Sequence, residues 1–283
     1  MKVIAFAGKK ESGKSTKLSY TMAQIMCQEG IIDSFKMNDN GELFCTALFY
    51  DEKGNPYTDM GIFSFYQNSP EFYEYMERNV YPTVKNYDHA RFLKQLGMMF
   101  GLSWDQCYGS NEQKNSLTSL NWEDMPGVVP EGTMIGEYNY GYDDLAVEFS
   151  KIGIKTKSGK MSARDFLQYF GTEVYRKIDK DFWPKMLKDN ILTDNSNYAL
   201  VGDLRYRNEF ESLKEMGATL VYLTRAIHND SHQSENDLTP DGFDIVIDNQ
   251  NMTIEESNSY LNKKLLNLGI FKPLKKERFT TIK

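Results

Sequence analysis

An α/β fold with a mostly parallel sheet is what this sequence predicts, and three observations predict it. Residues 2–7 (KVIAFA) form a short apolar run of the kind carried by a strand buried on both faces. That run leads into residues 8–15, GKKESGKS, and then into a stretch whose Leu18, Met22, Ile25 and Met26 recur at helical spacing. After residue 160, strand-length apolar runs and helical patterns alternate, the rhythm of a parallel sheet covered on both faces.

Each element follows in order. Residues 31–37 read as the second strand. The segments 42–50 (ELFCTALFY) and 57–65 flank Lys53-Gly54-Asn55-Pro56, strong turn chemistry, and together predict a β-hairpin. Residues 70–80 and 88–101 are expected to be helical, the latter ending at Gly101, and 121–142, rich in Gly, Pro and Tyr, to be loop. Helical spacing returns at Phe166, Leu167, Phe170 and Val174, with Ser162 as the N-cap of a helix over 162–179. Another helix runs over 182–192, with Pro184 in its first turn. The buried run 198–202 (YALVG) closes in Asp203, a helix over 208–216 stops at Gly217, and 218–223 (ATLVYL) is the next strand. The last strand is 244–247, followed by a helix over 253–268 and a charged tail over 271–283. No internal repeat is visible.

Composition narrows the function classes. The chain has 283 residues, enough for one sizeable α/β core with an elaboration or for two small domains. A net charge of −7 argues against a general nucleic-acid binder, which needs a basic face. Cys27, Cys45 and Cys107 lack the spacing of a zinc site or disulfide framework and suit a reducing compartment. No apolar run approaches membrane-spanning length, and residues 2–7 read as a core strand rather than a leader. A cytoplasmic protein is the expectation. Tyr and Phe are abundant, much of the aromatic content lying in 44–100, where the acidic context favours a wet surface or interface over a stacking platform for nucleic acid.

Residues 8–15 satisfy G-x-x-x-x-G-K-[ST] at every fixed position. Backbone N–H groups from Lys9 to Ser15 would share one concavity at a helix N-terminus, where the helix dipole favours an anion. Gly8 and Gly13 permit the torsions this loop needs. Lys14 would reach the β and γ phosphates of a nucleoside triphosphate, and the Ser15 hydroxyl would ligate Mg²⁺. A glycine turn followed by a lysine-rich helix start is the plainer alternative; the strand before and the helix after favour the phosphate loop.

Other residues converge on the same carboxyl edge of the sheet. Asp203 ends its strand within GDLRYRNE, where it would serve the metal or the substrate while Arg205 binds a phosphate; the alternative is a strand-end acid capping the next helix, with Arg205 and Glu209 as a surface ion pair. Arg164 and Gln168, four apart, share one helix face, and either hold a substrate or are a solvated polar stripe. Gly171-Thr172 would bend that helix and expose backbone donors. Asn249 either contacts adenine or forms a turn.

SARDFLQYFGTEVYR, then DFW, then VGDLRYRNE and MGATLVYLTR resemble the phage-type deoxynucleoside monophosphate kinases, and HARFLKQLGMMFGLSWDQCYG resembles their substrate-side segment. The likeness covers residues 1 to about 37 and 88 to about 268; residues 38–87 have no counterpart in it. It implies a P-loop kinase three-layer fold. The core would be split over 1–37 and 161–270, with a substrate-side helical region over 38–160 carrying the hairpin at about 42–65. It further implies donor contacts from Gly8, Lys10, Ser12, Gly13, Lys14, Ser15 and Thr16. Substrate contacts would come from Arg164, Gln168, Gly171, Thr172, Trp183, Asp203, Arg205 and Glu209. Lys14, Arg164, Asp203 and Arg205 would be catalytic, and Ser15 and Asp203 would hold the metal. Trp183 has packing as its other reading. Three departures stand out: Ser15-Thr16 where relatives often have Asp-Thr, Asp165 where some have a basic residue, and the inserted hairpin.

The activity so implied is transfer of the γ-phosphoryl of ATP to a deoxynucleoside 5′-monophosphate, with ATP and Mg²⁺ as cofactors. Residues 225–243, with Arg225, His228 and His232, would form a lid. The partners expected are small nucleotides, with neither nucleic acid nor membrane; a homodimer is an admissible assembly, in the host cytoplasm if a phage encodes the chain. The alternatives are a P-loop kinase of another small acceptor (dephospho-coenzyme A or a sugar acid) and a non-catalytic nucleotide-binding regulatory or assembly protein.

Overall fold

A computed structural model describes residues 1–50, 53–64, 67, 69–132, 155–226 and 237–273. The chain divides into two compact units, 1–88 with 187–283, and 89–186.

The first unit is built on a five-stranded sheet whose described pairings are all parallel. Lys2–Gly8 is its central strand, flanked by Tyr198–Leu204 on one side and Thr219–Leu223 on the other. Val84–Tyr87 and Ile245–Ile247 are the outer strands. Val3 to Ala7 are all buried because both faces of the central strand are covered. Side-chain alternation sends Ile4 and Phe6 to one face, where they meet Leu18, Met22, Ile25, Leu261 and Leu265 of helices Lys14–Gln28 and Ile254–Asn267. Val3, Ala5 and Ala7 point the other way, onto Leu187, Ile191, Phe210 and Leu213 from helices Phe182–Thr193 and Arg207–Glu215. Helix, sheet and helix thus form three layers, as the sequence predicts.

Two expectations need correction. The strand within 31–37 is only Phe35–Met37, and it pairs antiparallel with Leu43–Cys45 rather than joining the parallel sheet. It lacks the continuous apolar run a strand covered on both faces needs. The hairpin forms as expected, Leu43–Tyr50 against Pro56–Phe63, and completes this separate three-stranded sheet. The place next to Tyr198–Leu204 goes instead to Val84–Tyr87, a four-residue strand too short and polar to signal itself. The compact units also divide the chain differently from the expected split. Residues 38–88 fall in the unit of the phosphate loop, through that strand and the packing of Leu43, Cys45, Met76 and Val80 into its core. Residues 161–186 fall in the other unit.

The second unit packs short elements around Phe166, Phe170, Val174, Met161, Trp122 and Trp183. Capping boxes at Ser103/Gln106 and Ser110/Gln113 open helices Trp104–Tyr108 and Asn111–Asn115. Within residues 121–132, expected as loop, Trp122–Asp124 forms a 3-10 turn and Val128–Val129 a short strand. The helix expected from Ser162 starts there, capped by the Ser162 side chain, but changes character at Tyr169: Ala163–Gln168 is α-helical and Tyr169–Tyr175 is a π-helix. Among the described residues no helix is long and apolar enough to cross a membrane.

Candidate active site

The phosphate loop leaves the carboxyl end of the central strand, between the ends of its two parallel neighbours Tyr198–Leu204 and Thr219–Leu223. Gly8 has φ 141°, and a Cβ there would stand 2.6 Å from the Leu223 carbonyl oxygen and 2.7 Å from Ser12 Oγ. Gly13, at φ 100°, is the N-cap of Lys14–Gln28 and offers no side chain to the first helical N–H groups. Those donors need an acceptor from elsewhere. Ser12 is fully buried and its Oγ has no hydrogen-bond partner among the described residues. An unmatched hydroxyl beside an uncapped helix start suits a polyphosphate. Lys14 is buried, its Nζ donating to the carbonyls of Gly8 (2.6 Å) and Lys9 (2.8 Å), so the ammonium is already drawn into the loop. Lys10 and Thr16 are half-buried and Ser15 is exposed in the first helical turn.

Asp203 lies on Tyr198–Leu204, whose Leu204 pairs with Ala7 of the central strand, and so sits at the same sheet edge as the loop. Its Oδ1 accepts from Arg205 Nε at 2.8 Å, anchoring the guanidinium. Glu209 is buried, and its Oε2 accepts from the backbone N–H groups of Arg205 (3.0 Å) and Tyr206 (3.1 Å). Its role in the fold is that of a capping residue which fixes the backbone carrying Arg205, while Asp203 pairs with the Arg205 guanidinium. Ser15 hydroxyl and Asp203 carboxylate are hard oxygen donors of the kind Mg²⁺ takes alongside water.

In the second unit, Arg164 is half-buried and donates to Asn111 Oδ1 at 2.9 Å, while Gln168 is exposed on the same helix face. Gly171 and Thr172 lie inside the π-helical stretch, a distortion that frequently marks functional sites. Gly171 is buried against Leu93, whose Cδ2 would be 2.8 Å from an added Cβ, and its carbonyl accepts from Trp183 Nε1 at 3.0 Å. Trp183 itself is buried among Phe92, Tyr175 and Phe182. Its ring packs in the core, the other of its two sequence readings, and its Nε1 holds the Gly171 carbonyl. Beside them, hydrogen bonding from Lys177 holds the Glu173 carboxyl below the usual carboxylate range, against a smaller opposing effect of burial.

Sequence reasoning missed Lys17. It is buried one turn past Lys14, donates to Asn258 Oδ1 at 2.5 Å, and burial lowers its pKa from 10.5 to about 7. Its signal was a polar stripe, Lys17, Thr21 and Gln24, spaced like the apolar one yet buried. His228 and His232 of the expected lid lie outside the described residues.

Residues 137–260 match the family model described as deoxynucleotide monophosphate kinase. Over that block the chain is similar to deoxynucleotide monophosphate kinases, those of phages among them. It is 29% identical over 160 residues to the deoxynucleotide monophosphate kinase of Escherichia phage RB69, covering 54% of this chain and 65% of that protein. The deoxynucleotide monophosphate kinase of Enterobacteria phage T4 is 29% identical over 127 residues, 42% of this chain and 52% of its own length. The chain therefore spans about half to two thirds of these relatives. The matched block holds Arg164, Gly171, Trp183, Asp203, Arg205 and Glu209 but not the loop. The family-model match and the loop geometry thus rest on different residues.

Proposed function

We propose that the chain transfers the γ-phosphoryl group of ATP to a deoxynucleoside 5′-monophosphate, releasing ADP and the deoxynucleoside diphosphate. The observation that carries it is the uncapped helix start with buried Lys14 at the end of the central strand, with the Asp203–Arg205 pair at the end of the adjoining strand. The deoxynucleotide acceptor is supported by the similarity to deoxynucleotide monophosphate kinases.

An oxygen of the acceptor phosphate attacks the γ-phosphorus, and the bond to the β–γ bridging oxygen breaks. The acceptor is already an anionic nucleophile, so no strong base is required. What the chain must supply is alignment and neutralisation of the charge on the phosphoryl oxygens. Loop N–H groups and Lys14 grip the donor. Arg205, steadied by Asp203 through Nε and by Glu209 through its backbone, offers a fixed positive charge. Arg164, Gln168, Gly171 and Thr172 are assigned to the acceptor, with Trp183 holding the Gly171 carbonyl in place. Ser15 and Asp203 would hold Mg²⁺, whose contribution when bound is to offset negative charge on the phosphates.

The test is ADP release from ATP with each common deoxynucleoside and ribonucleoside monophosphate as acceptor. Release that depends on a deoxy acceptor is expected. Release dependent on dephospho-coenzyme A or a sugar acid instead would reassign the acceptor, and tight ATP binding with no acceptor-dependent release would remove the activity.

A further inference from the structure

Asn249 lies just past the last strand, is buried, and uses both ends of its amide. Its Nδ2 donates to the Ser12 carbonyl at 2.8 Å, while its Oδ1 accepts from the Arg225 backbone N–H at 3.0 Å. The side chain therefore ties the phosphate loop to the ends of two strands. Its neighbours do less. Asp248 Oδ1 accepts from Thr224 Oγ1 at 2.8 Å, and Gln250 Oε1 from the Ala226 N–H at 3.3 Å, both exposed bonds between the two strand ends.

We propose that Asn249 is a positioning residue of the donor site, setting the orientation of one loop peptide; the proposal rests on the nucleotide-binding role of that loop. The peptide joining Ser12 to Gly13 is trans, so its carbonyl and N–H point in opposite directions. Holding the Ser12 oxygen on Asn249 turns the Gly13 N–H away from Asn249 and fixes it as one of the donors preceding the helix. At neutral pH a primary amide offers a donor and an acceptor on one small planar group, as a carbonyl on one side and an N–H on the other demand. A carboxylate would face the Ser12 oxygen with no proton to share. The contact is close: a Cβ on Gly13 would stand 3.8 Å from Asn249 Nδ2.

The experiment is titration calorimetry of the full chain with ATP, for wild type and for Asn249→Asp, Asn249→Ala and Gln250→Ala, at pH 8 and again at about pH 5, with thermal melting to establish that each is folded. Asn249→Asp and Asn249→Ala should bind ATP about tenfold or more weakly at pH 8, as when a buried carbonyl loses its donor. Gln250→Ala should match wild type. Toward pH 5 the Asn249→Asp deficit relative to wild type should shrink, because a protonated carboxyl regains donor and acceptor together, whereas the Asn249→Ala deficit should persist. A general loss of packing would not recover with protonation. Wild-type affinity in any folded Asn249 variant would overturn the role of Asn249 alone, and so would equal deficits in both variants at both pH values. A wild-type chain that binds no ATP would overturn it together with the donor site. Should Asn249→Asp not fold, Asn249→Ala against Gln250→Ala decides.

Discussion

The loop at residues 8–14 and the π-helical stretch Tyr169–Tyr175 both depend on glycine, for opposite reasons. Gly8 and Gly13 meet a demand of the backbone itself: both have positive φ, and Gly8 also has a carbonyl and a hydroxyl at van der Waals distance or closer. Gly171 meets a demand of packing. It adopts no positive φ, but Leu93 closes over it and Trp183 holds its carbonyl. The first requirement is written in eight consecutive letters. The second needs residues 78 positions upstream and 12 downstream, as Leu93, Gly171 and Trp183 are numbered. A site of local backbone geometry can be read from a sequence; one made by packing cannot.

The largest effect should come from the loop. Lys14→Ala is expected to lower phosphoryl transfer on the order of 10² to 10³-fold, as for removal of one preorganised electrostatic group, read as acceptor-dependent ADP release. Near-wild-type turnover would break the contrast at its stronger end. Gly8→Ala forces a side chain into a strained torsion and against Leu223 O, and should cost about 2–3 kcal/mol in denaturant unfolding together with most ATP binding. An unchanged midpoint would show that the loop tolerates a Cβ.

Lys17 sharpens the loop side through pH. Its folded pKa of about 7 lies below the 10.5 of an exposed lysine, so between those values the unfolded chain binds more protons. Stability should therefore rise with pH across that window, by at most about 1.4 kcal/mol per unit, and be insensitive to this group below pH 7. Lys17→Met should flatten that rise in urea titrations at pH 7, 8 and 9; an undiminished slope would locate the dependence elsewhere. The smallest effect belongs to the packing side. Gly171→Ala meets only the flexible end of Leu93 and should cost about 1 kcal/mol, with ATP affinity intact and acceptor KM raised. A fall in ATP affinity comparable to that of Gly8→Ala would erase the distinction between the two glycines.

Legibility followed the same division. The strand, loop and helix over residues 2–28, the capping serine of the 163 helix and the placement of Asp203 at a strand end were all readable, because each is set by neighbours a few residues away. Val84–Tyr87 was not, since a short edge strand is chosen by its partner Tyr198–Val201 rather than by its own pattern. Glu209, expected as a substrate contact, also holds the backbone under Arg205, a role visible only once helix Arg207–Glu215 has a start. Trp183 and Asn249 each had two sequence readings. Burial favours packing for the first, and a bond across 237 residues of chain showed what the second holds.

The most direct measurement follows the phosphorus atom. With ATP labelled in the γ position and a deoxynucleoside monophosphate supplied, label should appear in the deoxynucleoside diphosphate, in step with ADP and dependent on Lys14. Label recovered only as inorganic phosphate, or retained in ATP despite bound acceptor, would contradict the account.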